Sequence, residues 1–224
     1  MTDRPFIYDP PQEPFLTILY QDKHLVAALK PAGLLSVPGK PAEHSDSLAL
    51  RVQSRFPRAT VVHRLDLATS GVIVMALNLK AHRHISMQFE KRETSKTYIA
   101  RVWGHMQDDH GEVNLPMKCD WPNRPKQMVD YVEGRPALTL WDVVAREEEN
   151  GHAVTRVSLN PITGRSHQLR VHMLSLGHPI LGDDLYAHKD AYEAAPRMQL
   201  HAQSLTLRHP VTEEEMTFEA PCPF

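Results

Sequence analysis

Three polar segments, each beside apolar runs, hold the residue types in this chain that can do chemistry. The first is His63-Arg64-Leu65-Asp66-Leu67-Ala68-Thr69-Ser70-Gly71, where an arginine stands two residues before an aspartate and a Thr-Ser-Gly turn follows. Polar loops between core strands are where sites are usually built. A carboxylate kept ionised beside a guanidinium is a competent nucleophile or base. An aspartate capping a turn, with Arg64 in a surface pair, is the plainer use of the same residues. The second segment runs from Asn160 to His172, NPITGRSHQLRVH. Gly164 permits a tight backbone, Arg165 sits at or just before a helix start, and Arg170 and His172 follow on that helix. Cations placed there can hold a carboxylate or grip phosphate, or serve as ordinary surface charge at a helix entrance. The third is Lys96-Thr97-Tyr98-Ile99-Ala100 on a predicted strand. Alternation sends Thr97, Ile99 and Arg101 one way and Tyr98 and Ala100 the other. A strand tyrosine ordinarily packs in a core; stacking on a base is its functional alternative.

The elements that must position these segments follow from pattern. Residues 1–14 contain four prolines and read as an extended or disordered arm. Phe15–Tyr20 and His24–Lys30 form a predicted hairpin. The loop KPAGLLSVPG, Lys30 to Gly39, is shaped by two prolines and two glycines. Ser45 or Asp46 is expected to cap a helix reaching about Phe56. Thr60–Val62 and Val72–Leu77 read as buried strands flanking the Asp66 loop, Lys80 to Arg92 as a helix, and Thr97–Trp103 as a strand. From about Gly104 to Pro136 turn residues dominate. Ala137–Arg146 and His152–Leu159 form a second hairpin around the acidic Glu147–Asn150 turn. Ser166 is expected to cap a helix that Gly177 ends, and short strands follow near Gln203–Leu207 and Met216–Glu219. Strands joined by hairpins with interspersed helices favour an α+β fold over a doubly wound sheet.

Composition excludes several function classes. No apolar run approaches the roughly 20 residues of a membrane span, and the first 14 residues lack a signal-peptide core. Two cysteines, Cys119 and Cys222, are too few for a disulfide framework or a cysteine zinc site, and fit a reducing cytoplasm. His82/His84, His105/His110 and His167/His172 lack a metal-ligand spacing, so no metal is expected. The net charge of −2 decides nothing by itself. Its distribution is more informative: His63 to Arg101 carries seven basic residues against three acids, and Arg156 to His172 three arginines and no acid. Such segments can bind phosphate on one face or be solvated helix faces.

Taken together and in order, KPAGLLSVPG, HRLDLATSG, KTYIA and ITGRSHQLRVHM resemble the RluA family of pseudouridine synthases, over nearly the whole chain from about residue 10. PPQEPF, CDWPNRPKQ and GHPILGD add to the likeness. The resemblance implies a pseudouridine synthase fold, with a central, mostly antiparallel mixed sheet flanked by helices and loops. It implies a catalytic domain over residues 15–224, without the family's accessory S4 domain. It implies an enzyme, an isomerase that breaks the uridine glycosidic bond, rotates the uracil and rejoins it through C5, with no cofactor. By motif, Asp66 is the catalytic aspartate, Arg165 pairs with it, and Tyr98 stacks on the target base. Arg64 stands beside the vacated position of the flipped nucleotide. Lys96, Arg124, Lys126, His167, Gln168, Arg170 and His172 are expected to contact RNA, and Leu67 and Leu169 to wall the pocket. His201 is expected in the core or behind the site. The implied substrates are position 746 in a 23S rRNA hairpin loop and position 32 of tRNA anticodon stem-loops. The protein is expected to act in the cytoplasm as a monomer with no obligate protein partner. A catalytically silent RNA-binding protein of the same fold is the main rival, but it predicts loss of Asp66, Tyr98 or Arg165, and all three are present. A kinase-like reading of HRLD fails for want of a Gly-rich loop and a DFG. Paired-carboxylate hydrolysis lacks a second acid in the Asp66 loop.

Overall fold

The apolar runs of the sequence become twelve strands and four helices in residues 7–224, which the computed structural model describes. The first half holds β1 (Thr17–Gln21), β2 (Leu25–Lys30), α1 (Leu48–Arg55), β3 (Thr60–Val61), β4 (Ser70–Ala76), α2 (Leu79–Lys91) and β5 (Ser95–Trp103). The second half holds β6 (His110–Asn114), β7 (Met117–Cys119), β8 (Gln127–Val129), β9 (Leu138–Glu149), β10 (His152–Pro161), α3 (Gln168–Ser175), α4 (Lys189–Glu193), β11 (Leu200–Arg208) and β12 (Glu215–Glu219). Ten strands make one sheet, ordered β1-β2-β4-β11-β5-β10-β9-β6, with β3 beside β4 and β12 beside β11. Every pairing is antiparallel except β11 with β4. The fold is therefore α+β with a mixed, mostly antiparallel sheet, and β7 and β8 stand off it as a separate hairpin.

The single parallel pair locates the functional segments. His201 lies opposite Ser70, Ala202 lies opposite both Gly71 and Tyr98, and Leu159 lies opposite Tyr98. The Asp66 loop thus enters the sheet two strands from Tyr98, each step being about 4.8 Å. Gly71 makes the approach possible: its φ is +126°, and a Cβ there would lie 2.2 Å from the Ala202 carbonyl oxygen. β4 is buried along its whole length between two apolar clusters, one with α1 and one with α2.

Several local expectations change. Ser47, not Ser45 or Asp46, caps α1, because Asp46 is engaged by the buried Arg51. Residues 7–14 have no regular secondary structure but lie against the body; residues 1–6 of the expected arm lie outside the described residues. The Tyr8 hydroxyl accepts from Leu35 N at 3.0 Å and donates to Asp46 O at 2.7 Å, and Arg51 donates to Pro11 O. Glu147–Glu149 belong to β9 rather than to a turn, where Glu147 pairs with Arg101 and Arg156 and Glu149 with Arg101. The turn is reduced to Asn150 and Gly151, both at positive φ, as a two-residue hairpin requires. The turn-rich middle still forms β6, β7 and β8.

Candidate active site

The Asp66 loop is fixed from beneath. Ser36 donates its hydroxyl to Leu65 O at 2.6 Å and accepts from Leu65 N at 3.1 Å. The fully buried Lys30 donates to the carbonyls of Leu34, Leu67 and Pro31 at 2.6, 3.0 and 3.0 Å, and Gly33 N also donates to Leu67 O. Burial pulls the Lys30 pKa down to about 7, opposed by the Asp66 charge. Three carbonyl acceptors suit the three N–H donors of an ammonium, so the cation is stapled under the loop. Thr69 N closes the loop's turn onto Asp66 O.

The Asp66 carboxylate is left open. Arg170 Nη1 lies 3.9 Å from its Oδ2 and His167 Nε2 lies 4.0 Å away. Both are close enough for charge attraction and too long for hydrogen bonds. Among the described residues no donor hydrogen-bonds this carboxylate, so its lone pairs face the cleft.

The expected partner, Arg165, is not the cation that meets Asp66. Its Nε donates to Pro136 O at 3.1 Å, at the rim. Arg170 takes that place because Asp183 holds its guanidinium in a fork, Nε to Oδ2 at 2.7 Å and Nη2 to Oδ1 at 2.5 Å, with Asp184 at 3.1 Å and the Tyr186 ring 5.0 Å away. Burial works against the charge on Arg170, but Asp183 outweighs it, and Asp66 and Asp184 add to the hold. Arg170 is 3% exposed, so it is an internal cation in the wall of the cleft rather than part of the outer surface.

Two more expected RNA contacts are internal. Gln168 is buried: its Oε1 accepts from Thr163 Oγ1 and Arg165 N, and its Nε2 donates to Leu138 O and Thr139 Oγ1. It sews the TGR turn to β9. His172 is fully buried with Nδ1 at 2.9 Å from Thr139 Oγ1, and burial lowers its pKa to about 4, leaving it neutral. The expected cap Ser166 is replaced by His167, whose φ of 53° swings the chain into α3 without a side-chain cap bond.

A cleft of about 530 Å³ opens over Asp66, lined among others by Arg64, Lys96, Tyr98, Arg165, His167 and Leu169. Leu169 is in its wall as expected. Leu67 is not: it stands in the turn that Thr69 N closes onto Asp66 O and lines a separate hollow with Arg197 and Tyr192, while Leu65 and Leu200 line the Asp66 cleft. Burial and then the Asp66 charge raise the Tyr98 pKa, so it remains a phenol. Two further clefts adjoin. One runs past Arg64, Asp66, His167 and Arg124. The other passes Arg64, Arg92, Lys96, Tyr98 and Arg165, with Glu90 its one acid. The exposed Arg64 stands at the junction of all three. Arg124, exposed and 4.5 Å over the Trp121 ring, and the half-buried Lys126 lie on the loop joining β7 and β8. His201 is buried behind the site, between Ser70 Oγ at 2.9 Å and Ala220 O at 3.0 Å.

Lys30, Asp183 and Tyr186 received no role from sequence. Lys30 and Asp183 sit inside the KPAGLL and GHPILGD segments; the signal at Lys30 is a charge closing an apolar run, and Asp183 is the first of two acids after one. Among the described residues no group of His, Cys, Asp and Glu has an arrangement to hold a metal ion, and no helix is long and apolar enough to cross a membrane.

Comparison with known proteins bears on this site. Residues 24–175 match the family model described as RNA pseudouridylate synthase. The chain is 57% identical over 217 residues to the dual-specificity RNA pseudouridine synthase RluA of Salmonella typhi and to that of Escherichia coli strain K12, covering 97% of this chain and 98% of each relative. The Haemophilus influenzae protein of that name is 54% identical over the same length. Among solved structures, human RNA pseudouridylate synthase domain containing 1 superposes with a TM-score of 0.79 at 28% identity, covering 100% of this chain and 87% of that one. Human RNA pseudouridylate synthase domain containing 4 gives 0.72 at 27% identity, covering 92% and 88%.

Proposed function

The chain belongs to the RNA pseudouridylate synthase family and is a pseudouridine synthase, and on that premise we propose that Asp66 is its catalytic carboxylate. The observation that carries this reading is the carboxylate itself. It is fixed by its backbone, faced by Arg170 and His167, accepts no hydrogen bond among the described residues, and opens into a cleft with Tyr98. A uridine stacked in an RNA loop cannot present C1′ and C5 to one carboxylate, so it is flipped out into the cleft. Extrusion costs a few kcal/mol, less from a loop than from a duplex. Asp66 promotes cleavage of the N1–C1′ bond, whose electron pair leaves with N1; the uracil turns in place, C5 bonds to C1′ and then loses its proton, and N1 takes one up, so the product is an isomer of the substrate. Tyr98, held as a phenol, stacks on the base. Leu65, Leu169 and Leu200 supply the apolar wall, and Arg64 occupies the space the base leaves.

The substrates proposed are the two that the sequence resemblance implies, an rRNA and a tRNA, and the relatives' name, dual-specificity RNA pseudouridine synthase, is in keeping with two kinds of substrate. We assign them to position 746 of 23S rRNA and position 32 of tRNA anticodon loops, modified in the cytoplasm by a monomer. Arg64, Lys96, Arg124, Lys126 and Arg165 contact the RNA around the cleft. A small enzyme can read a short loop sequence and the shape the loop adopts on binding. Pseudouridine mapping of total RNA from cells with and without the gene tests this. Loss of the modification at both positions is expected; loss at neither refutes the substrate assignment.

A further inference from the structure

His167 is the second group facing Asp66, and its other ring nitrogen is tied to a hydroxyl whose bonds are already committed. The Tyr186 hydroxyl oxygen accepts from Gln127 N, at the start of β8, at 2.7 Å, and stands 2.8 Å from His167 Nδ1. A phenol oxygen that has accepted one N–H still has one proton to give. Among the described residues His167 Nδ1 is the acceptor placed to take it. If Nδ1 takes that proton in a hydrogen bond, the N–H of neutral His167 must be on Nε2, which points at Asp66 Oδ2 from 4.0 Å. The reverse tautomer leaves the phenol proton unspent and aims a nitrogen lone pair at a carboxylate, two penalties at once. Two independent contacts therefore select the same tautomer.

We propose that Tyr186 is a positioning residue that holds His167 as its Nε2–H tautomer, and that this N–H is the donor that closes onto Asp66 when RNA is bound. The proposal rests on the reading of Asp66 as catalyst. The groups facing His167 are Asp66 from the catalytic loop, Arg170 on its own helix, and Asp183, Asp184 and Tyr186 from the segment after α3. Burial disfavours a charge on His167, and burial likewise keeps Tyr186 protonated, pushing it up to about 12. Both leave the neutral pair that the bond requires. Because Gln127 belongs to the β7–β8 hairpin, the seat of that hairpin, beside Arg124 and Lys126, is joined by two hydrogen bonds to the imidazole that faces the carboxylate. A donor added to Asp66 without a full charge steadies one oxygen while leaving the other free to react.

The test has two arms. In the first, nitrogen-15 shifts and long-range proton couplings of the imidazoles are recorded on the intact protein, with the His167 signals identified by their loss in His167→Gln. Protonated Nε2 and bare Nδ1 are expected, drifting toward a mixture in Tyr186→Phe; protonated Nδ1 in the wild type overturns the proposal. The second arm is a double-mutant cycle in single-turnover assays at saturating RNA. Glutamine places an amide N–H where Nε2–H stood and has no tautomer to be set. Tyr186→Phe is expected to slow the wild-type background about tenfold with little change in KM, and to slow the His167→Gln background less than twofold. An equal slowing in both backgrounds shows that Tyr186 acts independently of His167. The nitrogen-15 arm needs no activity, so it reads the tautomer even if the assignment of Asp66 fails.

Discussion

Exchanging Arg170 for lysine keeps the positive charge under Asp66 and removes the fork that aims it. The guanidinium makes two bonds to Asp183 and one to Asp184, and a lysine at this depth keeps one of the three. Hydrogen bonds to charged groups are worth about 1.5–3 kcal/mol each; because Asp184 is 64% exposed, its bond adds little. The net loss is then about 2 kcal/mol, which for a domain of this size lowers Tm by about 4–8 °C. The catalytic cost follows from distance. At an effective dielectric constant of about 20, a charge 3.9 Å from the carboxylate interacts by about 4 kcal/mol, and drawing it back to about 7 Å, onto Asp183, halves that. If the lost attraction falls on the transition state, the rate drops roughly 30-fold. Arg165→Ala is the control, since its guanidinium bonds a rim carbonyl and not Asp66. Its Tm is expected to move by less than about 2 °C, with RNA binding weakened. Thermal melts and single-turnover pseudouridine formation at saturating RNA decide the matter. If Arg165→Ala abolishes the saturated rate while Arg170→Lys leaves both rate and Tm near wild type, the assignment of Arg170 is wrong.

Gly71→Ala is expected to cost at least about 2–4 kcal/mol, because a Cβ there meets Ala202 backbone at 2.2 Å in a conformation L-residues avoid; a melt unchanged within about 2 °C contradicts the packing argument. Lys30→Met leaves buried carbonyls of Pro31 and Leu34 unpaired and is expected to cost about 3 kcal/mol, with a lower saturated rate as the Asp66 loop loosens; an enzyme of full activity and stability removes Lys30 from the support of the loop. Arg64→Gln, Arg124→Gln and Lys126→Gln are each expected to weaken RNA binding and to make its salt dependence shallower, by about one unit of slope for each phosphate no longer neutralised. Unchanged slopes in filter-binding titrations would place the RNA elsewhere on the surface.

How much of this is legible in sequence depends on the range of the interaction. The Asp66 loop is legible because apolar strands bound it on both sides, and Tyr98 because strand alternation fixes its side. The β9–β10 hairpin is legible from its two apolar runs, though its acids are in the strand, answered by Arg101 and Arg156 across it. The exchange of Arg165 for Arg170 is not legible. Both lie in one short segment, and which of them meets Asp66 is decided by the left-handed turn at His167 and by Asp183, thirteen residues beyond Arg170. Gln168 and His172 read as surface polar groups because nothing local says that Thr139 and Leu138 on β9 wait for them. Leu67 reads as pocket wall by its nearness to Asp66, yet the turn from Asp66 to Thr69 carries it into a separate hollow. Strands β6 to β8 are short and sit in a turn-rich stretch, where pairing partners and not local pattern create them.

The central claim is that Asp66 performs an isomerisation. Its most direct test compares wild type with Asp66→Asn on a tRNA anticodon stem-loop, scoring pseudouridine by carbodiimide mapping and RNA mass by mass spectrometry. Wild type is predicted to convert the uridine with no change in RNA mass, and Asp66→Asn to bind the same RNA and leave the uridine as it was. Conversion by Asp66→Asn near the wild-type rate contradicts the account, as does loss of uracil mass from RNA treated with the wild-type enzyme.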